Sequence, residues 1–238
     1  MTNSPKRQVK LPPPRLIDDS ASFAEMLEHL TVQKLVAVDT ESDSLFSYYA
    51  KVCLIQISTY SHAASQDARG RYVQGAEGDE PEDVQASLVD YLVDPLAIDD
   101  LSGLNEIFAS PDIEVIMHAA YNDILTLQKE YNFAFRHIYD TQLTARILGW
   151  ERTGLARILE NHFGVHSDKR MQRTDWGKRP LEERQTRYAQ LDTHFLIELR
   201  QIQLKQLAEM DRIEEAHEAF SALEQISYHE RPVQERTF

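Results

Sequence analysis

Four acidic residues stand at the edges of apolar segments, and this placement constrains the fold more than any other feature of the sequence. The run LVAVDTES carries Asp39 and Glu41, HAAYNDIL carries Asp123, and RYAQLDTHF carries Asp192. An unpaired carboxylate at the edge of a buried core is costly. If the fold brings these four together, cations must balance them, and oxygen ligands suit Mg²⁺ or Mn²⁺. A pair of such ions about 3.5–4 Å apart assists in-line displacement at phosphorus.

The order of apolar segments predicts a mixed α/β domain. Strands are expected at 35–38, 52–57, 88–93 and 113–117. Helices are expected near 100–108 and at 120–131, 140–148 and 154–162. A long helix should begin after Pro180, with a buried face that continues to Ile202, and the helical period returns in the tail as far as Ile226. Residues 62–87 lack apolar periodicity, so we expect a mobile surface insertion there.

Composition limits the class of protein. The 238 residues suit one large domain or one domain with an appendage, and 42% hydrophobic residues can supply its core. The single cysteine, Cys53, lies in the run VCLIQIS and is interpreted as a core residue in a reducing compartment. The Pro-rich N-terminus lacks the apolar region of a signal peptide, and no stretch approaches 18 apolar residues. We therefore expect a cytoplasmic protein without a membrane partner.

Charge is uneven along the chain. The net charge of −14 argues against a protein that coats nucleic acid, because binding a polyanion depends on Lys and Arg. Residues 169–187 nevertheless carry seven basic side chains against three acidic ones. The basic residues are Lys169, Arg170, Arg173, Lys178, Arg179, Arg184 and Arg187. This segment is interpreted either as a solvated surface or as a contact for a polyanion.

The spacing of the acids fits a common site. Asp39 and Glu41 are two residues apart, so on a strand both point to one face of the sheet. Tyr188 and Asp192 are four apart, so on a helix they also share a face. Asp39 follows an interior strand, at the edge where open α/β sheets tend to build their sites. Each pattern alone is also typical of an ordinary surface acid or a packed aromatic residue, and only their combination indicates a metal site.

The combined pattern resembles the DEDD superfamily of 3′→5′ exonucleases. VDTESDSLFSYYAKVCLIQIS is similar to the first motif of the family, HAAYNDILTLQKEYNF to the second, and RYAQLDTHFLIEL to the third in its tyrosine form, Y-x-x-x-D. YDTQLTARILGW and KRMQRTDWGKRPLEERQ resemble the ribonuclease D branch. The resemblance covers about 32–206 apart from the insertion. It implies an α/β fold with a ribonuclease H-like mixed β-sheet flanked by helices, followed by C-terminal helices.

The resemblance also implies a metal-dependent 3′-5′ exoribonuclease. Such an enzyme releases nucleoside 5′-monophosphates from single-stranded RNA 3′ ends, in RNA trimming or tRNA 3′ processing, with two divalent ions as cofactors. By resemblance, Asp39, Glu41 and Asp192 hold one ion, and Asp39 bridges to a second that Asp123 helps to hold. Tyr188 is expected to orient or deprotonate the attacking water.

Substrate contacts are implied for five further residues. Ser42 and Leu45 are expected near the terminal nucleotide, and Lys169, Gln172 and Arg179 beside the substrate groove. Among these, Lys169 and Arg179 are the expected phosphate contacts. Two nearby residues are interpreted as structural. Trp176 is expected to be a packing residue, and His118 is expected to be a histidine at a strand end whose hydrogen bonds are satisfied.

Domain organisation and two alternatives complete the expectations. We expect a flexible segment over 1–16, the exonuclease domain over 17–206 and a C-terminal helix and linker over 207–238. The ending HERPVQERTF resembles the linker that leads into a helical HRDC domain in longer ribonuclease D proteins, and that domain is absent from this sequence. The alternative functions are a DNA exonuclease of the same superfamily and a noncatalytic RNA-binding domain. The 2′-hydroxyl distinguishes RNA from DNA, and no single residue of the sequence determines the choice.

Overall fold

A computed structural model describes residues 11–47, 51–62, 65–66, 72–73 and 88–228. The strands in these parts of the chain are β1 (Arg15–Ile17), β2 (Leu35–Ser42), β3 (Val52–Tyr60), β4 (Ser65–Gln66), β5 (Tyr72–Val73), β6 (Leu88–Val93), β7 (Glu114–Met117) and β8 (Ile138–Asp140). The α-helices are α1 (Ser20–Thr31), α2 (Gly103–Phe108), α3 (Tyr121–Tyr131), α4 (Thr141–Ile147), α5 (Leu155–Ile158), α6 (Glu183–His194), α7 (Leu196–Glu209) and α8 (Ile213–Glu224). A π-helical turn over Leu159–Phe163 continues α5, and a 3₁₀ turn covers Lys169–Arg173.

Six of the strands form one mixed sheet in the order β1-β6-β3-β2-β7-β8. β2 lies near the centre, antiparallel to β3 and parallel to β7. The next strands outward repeat these directions: β6 is antiparallel to β3, and β8 is parallel to β7. The carboxyl ends of β2, β7 and β8 therefore meet at one edge of the sheet, where the chain can place side chains from several elements together.

Helices cover both faces of the sheet, and β2 shows how its residues divide between them. Val36 and Val38 pack in the core beneath α1, α2 and α3. Leu35 and Ala37 point the other way, into the core formed with α4, α7 and α8. α6 covers the neighbouring part of that second face over β3 and β6. This alternation extends along β2 and decides which face each of its polar residues reaches.

The structure contains strands and helices in all the predicted regions, and β2 differs from its prediction in length. The strand predicted for 35–38 continues to Ser42, because β3 pairs with it directly across Asp39 and Glu41. All nine residues of β3 are buried, which explains its nearly continuous apolar sequence. Cys53 in this strand is 1% exposed, so its interpretation as a core residue is confirmed.

The single long helix predicted after Pro180 is wrong in one respect. α6 begins at Glu183 with a capping box between Glu182 and Gln185, but it ends at His194, and α7 follows after Phe195. Phe195 is fully buried in a separate core cluster with Leu159 and Val165. Apolar periodicity did not reveal this break, because the residue at the joint is itself apolar and keeps the helical period.

The predicted boundaries at 16 and 206 do not correspond to breaks in packing. β1 begins at Arg15 and pairs with β6, and Gln190 Nε2 donates a hydrogen bond of 2.7 Å to the carbonyl of Pro12. At the other end, Phe220 and Leu223 of α8 are buried in the core beside β8. The described residues on both sides of 17–206 thus belong to the same packed unit, because they bury apolar side chains or pair with its sheet. Residues 1–10 and 229–238 lie outside the described part.

Most of the predicted insertion at 62–87 also lies outside the described residues. Within it, β4 and β5 form a separate antiparallel pair. Among the helices that the structure describes, none combines the length and apolar character needed to cross a bilayer.

Candidate active site

Asp39 and Glu41 point from β2 toward the face of the sheet that α6 covers, as their spacing predicts. α6 lies across β2 and places Asp192 above them. One carboxylate oxygen from each of these three residues lies within 4.8 Å of the other two. Residues 153 positions apart in the sequence thus form one cluster of oxygen ligands.

Tyr188 stands one turn before Asp192 on α6, and its hydroxyl donates a hydrogen bond to the Asp192 carboxylate. The side chain of Gln172 also hydrogen-bonds with the Tyr188 hydroxyl. Asp192 is 6% exposed, yet its Oδ2 atom has no hydrogen-bond partner among the described residues. A buried carboxylate oxygen in that position is available as a ligand.

Asp123 lines the same cavity as Asp39, Glu41 and Asp192, but it approaches from the other face of the sheet. It lies in the first turn of α3, and the Thr40 hydroxyl donates a short hydrogen bond to its Oδ1 atom. Thr40 lies between Asp39 and Glu41 on β2 and therefore points to the other side of the sheet. Asp123 is outside the group of three carboxylates but lines the same cavity of about 450 Å³.

Burial and mutual repulsion oppose the ionisation of these carboxylates. Burial, followed by the charges of its three acidic neighbours, raises the pKa of Asp39 well above its usual range. The pKa of Glu41 is raised to about 9 by burial and by the charges of Asp192 and Asp123. Burial raises the pKa of Asp123 to about 6 against the opposing bond from Thr40, and burial also raises the pKa of Asp192. A bound cation would remove this penalty.

The donor set fits divalent cations. The cavity is lined by Asp39, Thr40, Glu41, His118, Ala119, Asp123, Gln142, Gly154, Leu155, Ala156, Ser167, Lys169, Gln172, Tyr188 and Asp192. Four carboxylates face one lysine in this set, so the lysine cannot balance them. Hard oxygen ligands together with the unpartnered Asp192 Oδ2 favour Mg²⁺ or Mn²⁺ over softer metals.

Tyr188 is better suited to orient water than to deprotonate it. Burial, followed by the charges of Asp192, Glu41 and Asp39, raises the pKa of its phenol. The hydroxyl therefore remains protonated near neutral pH and acts as a hydrogen-bond donor.

Two of the residues expected to contact substrate line the cavity. Lys169 and Gln172 line it, and Lys169 is exposed. Ser42 lies at the irregular end of β2, where the register with β3 shifts. Leu45 is 66% exposed in the turn that follows, and neither it nor Ser42 lines the cavity.

Arg179 requires a correction, because its position argues against a phosphate contact. Its guanidinium forms a bidentate ion pair with Asp94, and it also donates to the carbonyls of Cys53, Trp176 and Lys178. These bonds use all five of its N–H donors. Arg179 does not line the cavity, and in this structure it links the basic segment to Cys53 of β3 and to Asp94, the residue that follows β6.

The environment of Trp176 agrees with its interpretation as a packing residue, whereas His118 is only partly satisfied, because its buried Nε2 atom has no hydrogen-bond partner among the described residues. Trp176 is 1% exposed and packs beside the Tyr188 ring at a centroid distance of 6.1 Å. His118 lines the cavity, with Nδ1 2.9 Å from the Thr141 hydroxyl. Burial lowers the pKa of His118 to about 4, so its ring is neutral at physiological pH.

Sequence reasoning missed several cavity residues. Thr40, Gln142, Ser167 and the segment 154–156 line the cavity without belonging to any predicted contact. Thr40 could have been found, because the residue between two ligands on a strand faces the opposite side and Asp123 approaches from there. The others come from turns and short helices, whose position relative to the sheet has no local signal.

Known proteins match this chain over most of its length. The sequence matches the family described as 3′-5′ exonuclease over residues 14–71 and 83–208. It is 35% identical over 187 residues to the Exosome complex exonuclease RRP6 of Saccharomyces cerevisiae, covering 78% of this chain and 22% of the yeast protein. It is 31% identical over 195 residues to Ribonuclease D of Haemophilus influenzae, covering 82% of this chain and 42% of that protein.

Solved structures share the fold. The catalytic core of RRP6 from Trypanosoma brucei gives a TM-score of 0.76 at 24% identity, over 93% of this chain and 54% of that chain. Escherichia coli RNase D gives a TM-score of 0.72 at 24% identity, over 91% of this chain and 52% of that chain. These similarities confirm the predicted fold class.

The chain spans less than half of the length of the two curated relatives. Since the family match covers most of the sequence and includes every residue of the carboxylate cluster, the chain belongs to the family of 3′-5′ exonucleases.

Proposed function

We propose that this chain is a metal-dependent exoribonuclease that removes nucleotides from RNA 3′ ends and releases nucleoside 5′-monophosphates. The observation that carries the proposal is the meeting of Asp39, Glu41 and Asp192 within 4.8 Å. Asp123 and Tyr188 line the same cavity. Its volume of about 450 Å³ lies in the range of about 300–1,000 Å³ that is usual for small-ligand sites, which suits a single terminal nucleotide.

Two divalent ions, Mg²⁺ or Mn²⁺, would occupy the carboxylate cluster. Asp39, Glu41 and Asp192 would hold one ion, and Asp39 with Asp123 would hold the other. When bound, such ions stabilise the negative charge that develops on phosphate oxygens and on the departing 3′ oxygen. Without them, four neighbouring carboxylates would repel a phosphodiester.

Side chains of the protein would position the attacking water and the substrate. The Tyr188 hydroxyl is fixed between Asp192 and Gln172, so it can hold a water molecule in line with the scissile bond. Lys169 lies at the cavity and offers a cation for a substrate phosphate. Gln172, held against Tyr188, borders the same groove.

RNA is the proposed substrate because of the relatives. The yeast relative is named an exosome complex exonuclease, and the Escherichia coli structure is described as an exoribonuclease involved in structured RNA processing. RNA trimming or tRNA 3′ processing would suit such an activity. A preference for DNA is the alternative that the experiment below distinguishes.

The test compares matched single-stranded RNA and DNA oligonucleotides, labelled at the 5′ end, with Mg²⁺ or Mn²⁺ and with a chelator as control. We expect the RNA to shorten progressively from its 3′ end, because the cavity accepts one terminal nucleotide. A 3′-phosphate should slow the reaction, and the chelator should stop it. Faster loss of the DNA would reassign the sugar specificity, and cleavage of a circular RNA would contradict an exonuclease.

The basic segment gives a second prediction, in which two single variants should behave differently. Lys169→Gln should raise KM and lower the salt dependence of log KM by about 0.7 per lost phosphate contact, with little change in kcat. Arg179→Gln should instead leave KM unchanged and destabilise the fold by about 2 kcal/mol. This is below the range of about 3–5 kcal/mol for breaking a fully buried pair, because the Arg179 side chain is 28% exposed.

Kinetics at several salt concentrations and denaturant unfolding of both variants measure these effects. Arg170→Gln is the matched control, because Arg170 is highly exposed and pairs with the nearby Asp168. An unchanged KM in Lys169→Gln would show that Lys169 is only a solvated surface residue. A raised KM in Arg179→Gln at full stability would restore its predicted phosphate contact.

A further inference from the structure

A buried carboxylate beside the site takes no part in the cluster. Asp140 is 2% exposed, at the carboxyl end of β8, and it does not line the cavity. Its Oδ1 atom accepts hydrogen bonds from the amides of Gln142 and Leu143 at 2.7 and 3.0 Å, which caps the start of α4. These two bonds are an ordinary N-cap.

Asp140 makes two further bonds that an ordinary cap does not require. Its Oδ1 accepts from the Ala119 amide at 3.2 Å, and its Oδ2 accepts from the Ala120 amide at 2.8 Å. Both amides lie in the turn between β7 and α3. Asp140 therefore joins the beginning of α4 to the beginning of α3, the helix that carries Asp123.

The turn that Asp140 holds needs such support. Ala119 has φ of +62°, in the left-handed region that a residue with a Cβ adopts at a cost. Ala120, at the start of α3, provides no side-chain cap for that helix. Asp140 supplies from another strand the acceptor that the turn lacks, and the turn determines where the first residues of α3 lie.

A second contact ties the same two segments together. The Thr141 hydroxyl donates to the Met117 carbonyl at 3.1 Å and lies 2.9 Å from His118 Nδ1. Met117 and Asp140 are also register partners in the parallel pair of β7 and β8. The residues that precede Asp123 are therefore fixed by the β8–α4 junction.

We propose that Asp140 is a positioning residue for Asp123. Through the amides of Ala119 and Ala120, it holds the first turn of α3 so that Asp123 faces Asp39 across the cavity. It thereby shapes the cation site that these two carboxylates share. The inference rests on the proposed metal-dependent function, but it concerns only one of the two cation sites.

Asp140→Asn removes the bond to the Ala120 amide and leaves the bonds to Oδ1, which are the cap of α4 and the longer bond from the Ala119 amide. The retained Oδ1 atom can still accept from Gln142 and Leu143, and Asn is as good an N-cap as Asp. The amide nitrogen that replaces Oδ2 would face the N–H of Ala120, donor against donor. Asp140→Ser is the second variant, because it also keeps a capping oxygen but is too short to reach the turn.

The test is a titration of the metal-free full chain with Mn²⁺, followed by calorimetry and by the electron paramagnetic resonance signal of a coupled manganese pair. In both variants we expect the weaker site to lose affinity by about 10–100-fold, the usual effect of removing a residue that orients a metal ligand. The pair signal should weaken accordingly. Binding at Asp39, Glu41 and Asp192 should change little.

Glu114→Gln is the matched control for stability. Glu114 is also a buried carboxylate, 5% exposed, and its ion pair with Arg200 lies at the opposite end of β7. We expect this control to lower the melting temperature while retaining both manganese sites. Unchanged affinities in both Asp140 variants, or an equal loss in the control, would overturn the positioning role. If the wild-type chain bound no Mn²⁺ at all, the proposed function itself would fail.

Discussion

Replacing Asp39 by Asn is expected to abolish RNA degradation and at the same time to stabilise the metal-free protein. The rate should fall by at least about 10³-fold, which corresponds to roughly 4 kcal/mol of barrier. The reason is that Asp39 is the carboxylate assigned to both cations, and Asn keeps its shape while removing its charge. Assays of the purified variant under the conditions used for the wild type measure this loss.

The expected gain in stability follows from the raised pKa of Asp39. An acid whose pKa is higher in the folded state than in the unfolded chain contributes stability at low pH and loses it as the pH rises. Near neutral pH Asp39 therefore lowers the stability of the cation-free fold, because the unfolded chain releases this proton readily and the folded chain resists its release. A neutral Asn removes this cost, and the melting temperature in chelator should rise by about 2–4 °C for each kcal/mol gained.

Asp112→Asn is the control for both measurements, since Asp112 is exposed and distant from the cluster in the fold. It should change neither the rate nor the melting temperature. If Asp39→Asn kept more than about a tenth of the wild-type rate, a loss of only about 1.4 kcal/mol, Asp39 would have to be removed from the site.

Tyr188→Phe should have the second largest effect, and it should act on turnover alone. The variant loses the hydroxyl that lies between Asp192 and Gln172 but keeps the ring that packs against Trp176. We expect kcat to fall by about 10²-fold, the loss that follows when a reacting group is no longer held in the correct position. Metal affinity should persist, because the carboxylates remain.

Single-turnover kinetics and Mn²⁺ calorimetry distinguish these two effects. Tyr131→Phe is the control, because Tyr131 stacks on Phe133 and does not line the cavity. Loss of metal affinity in Tyr188→Phe would contradict the orienting role, since it would make the hydroxyl part of the metal site.

The pairs within single elements were predictable from the sequence. Asp39 and Glu41 share a face because alternation along a strand follows from backbone geometry, and Tyr188 and Asp192 share a face because of the helical period. The strands and helices around them also follow from local apolar patterns. The break between α6 and α7 at Phe195 was not predicted, since the apolar residues on either side of it keep the helical spacing.

Arg179 shows where local reasoning fails. The resemblance to the ribonuclease D branch implied a phosphate contact for Arg179, but its guanidinium pairs with Asp94, 85 residues earlier in the chain. A sequence gives the charge of a side chain but not the partner that the fold brings to it. Lys169, in the same basic segment, lies at the cavity instead.

The sequence by itself determined the acidic side chains of the candidate site, their grouping in pairs and the α/β fold class, because these follow from residue type, from short spacing and from the order of apolar segments. Only the tertiary structure decided that Asp123 approaches from the opposite face of the sheet and meets Thr40, and that Asp140 holds the turn before it. These contacts join residues 83 and 20 positions apart. They exist because parallel strands end at one edge of the sheet, and no periodicity along the chain encodes which side chains meet there.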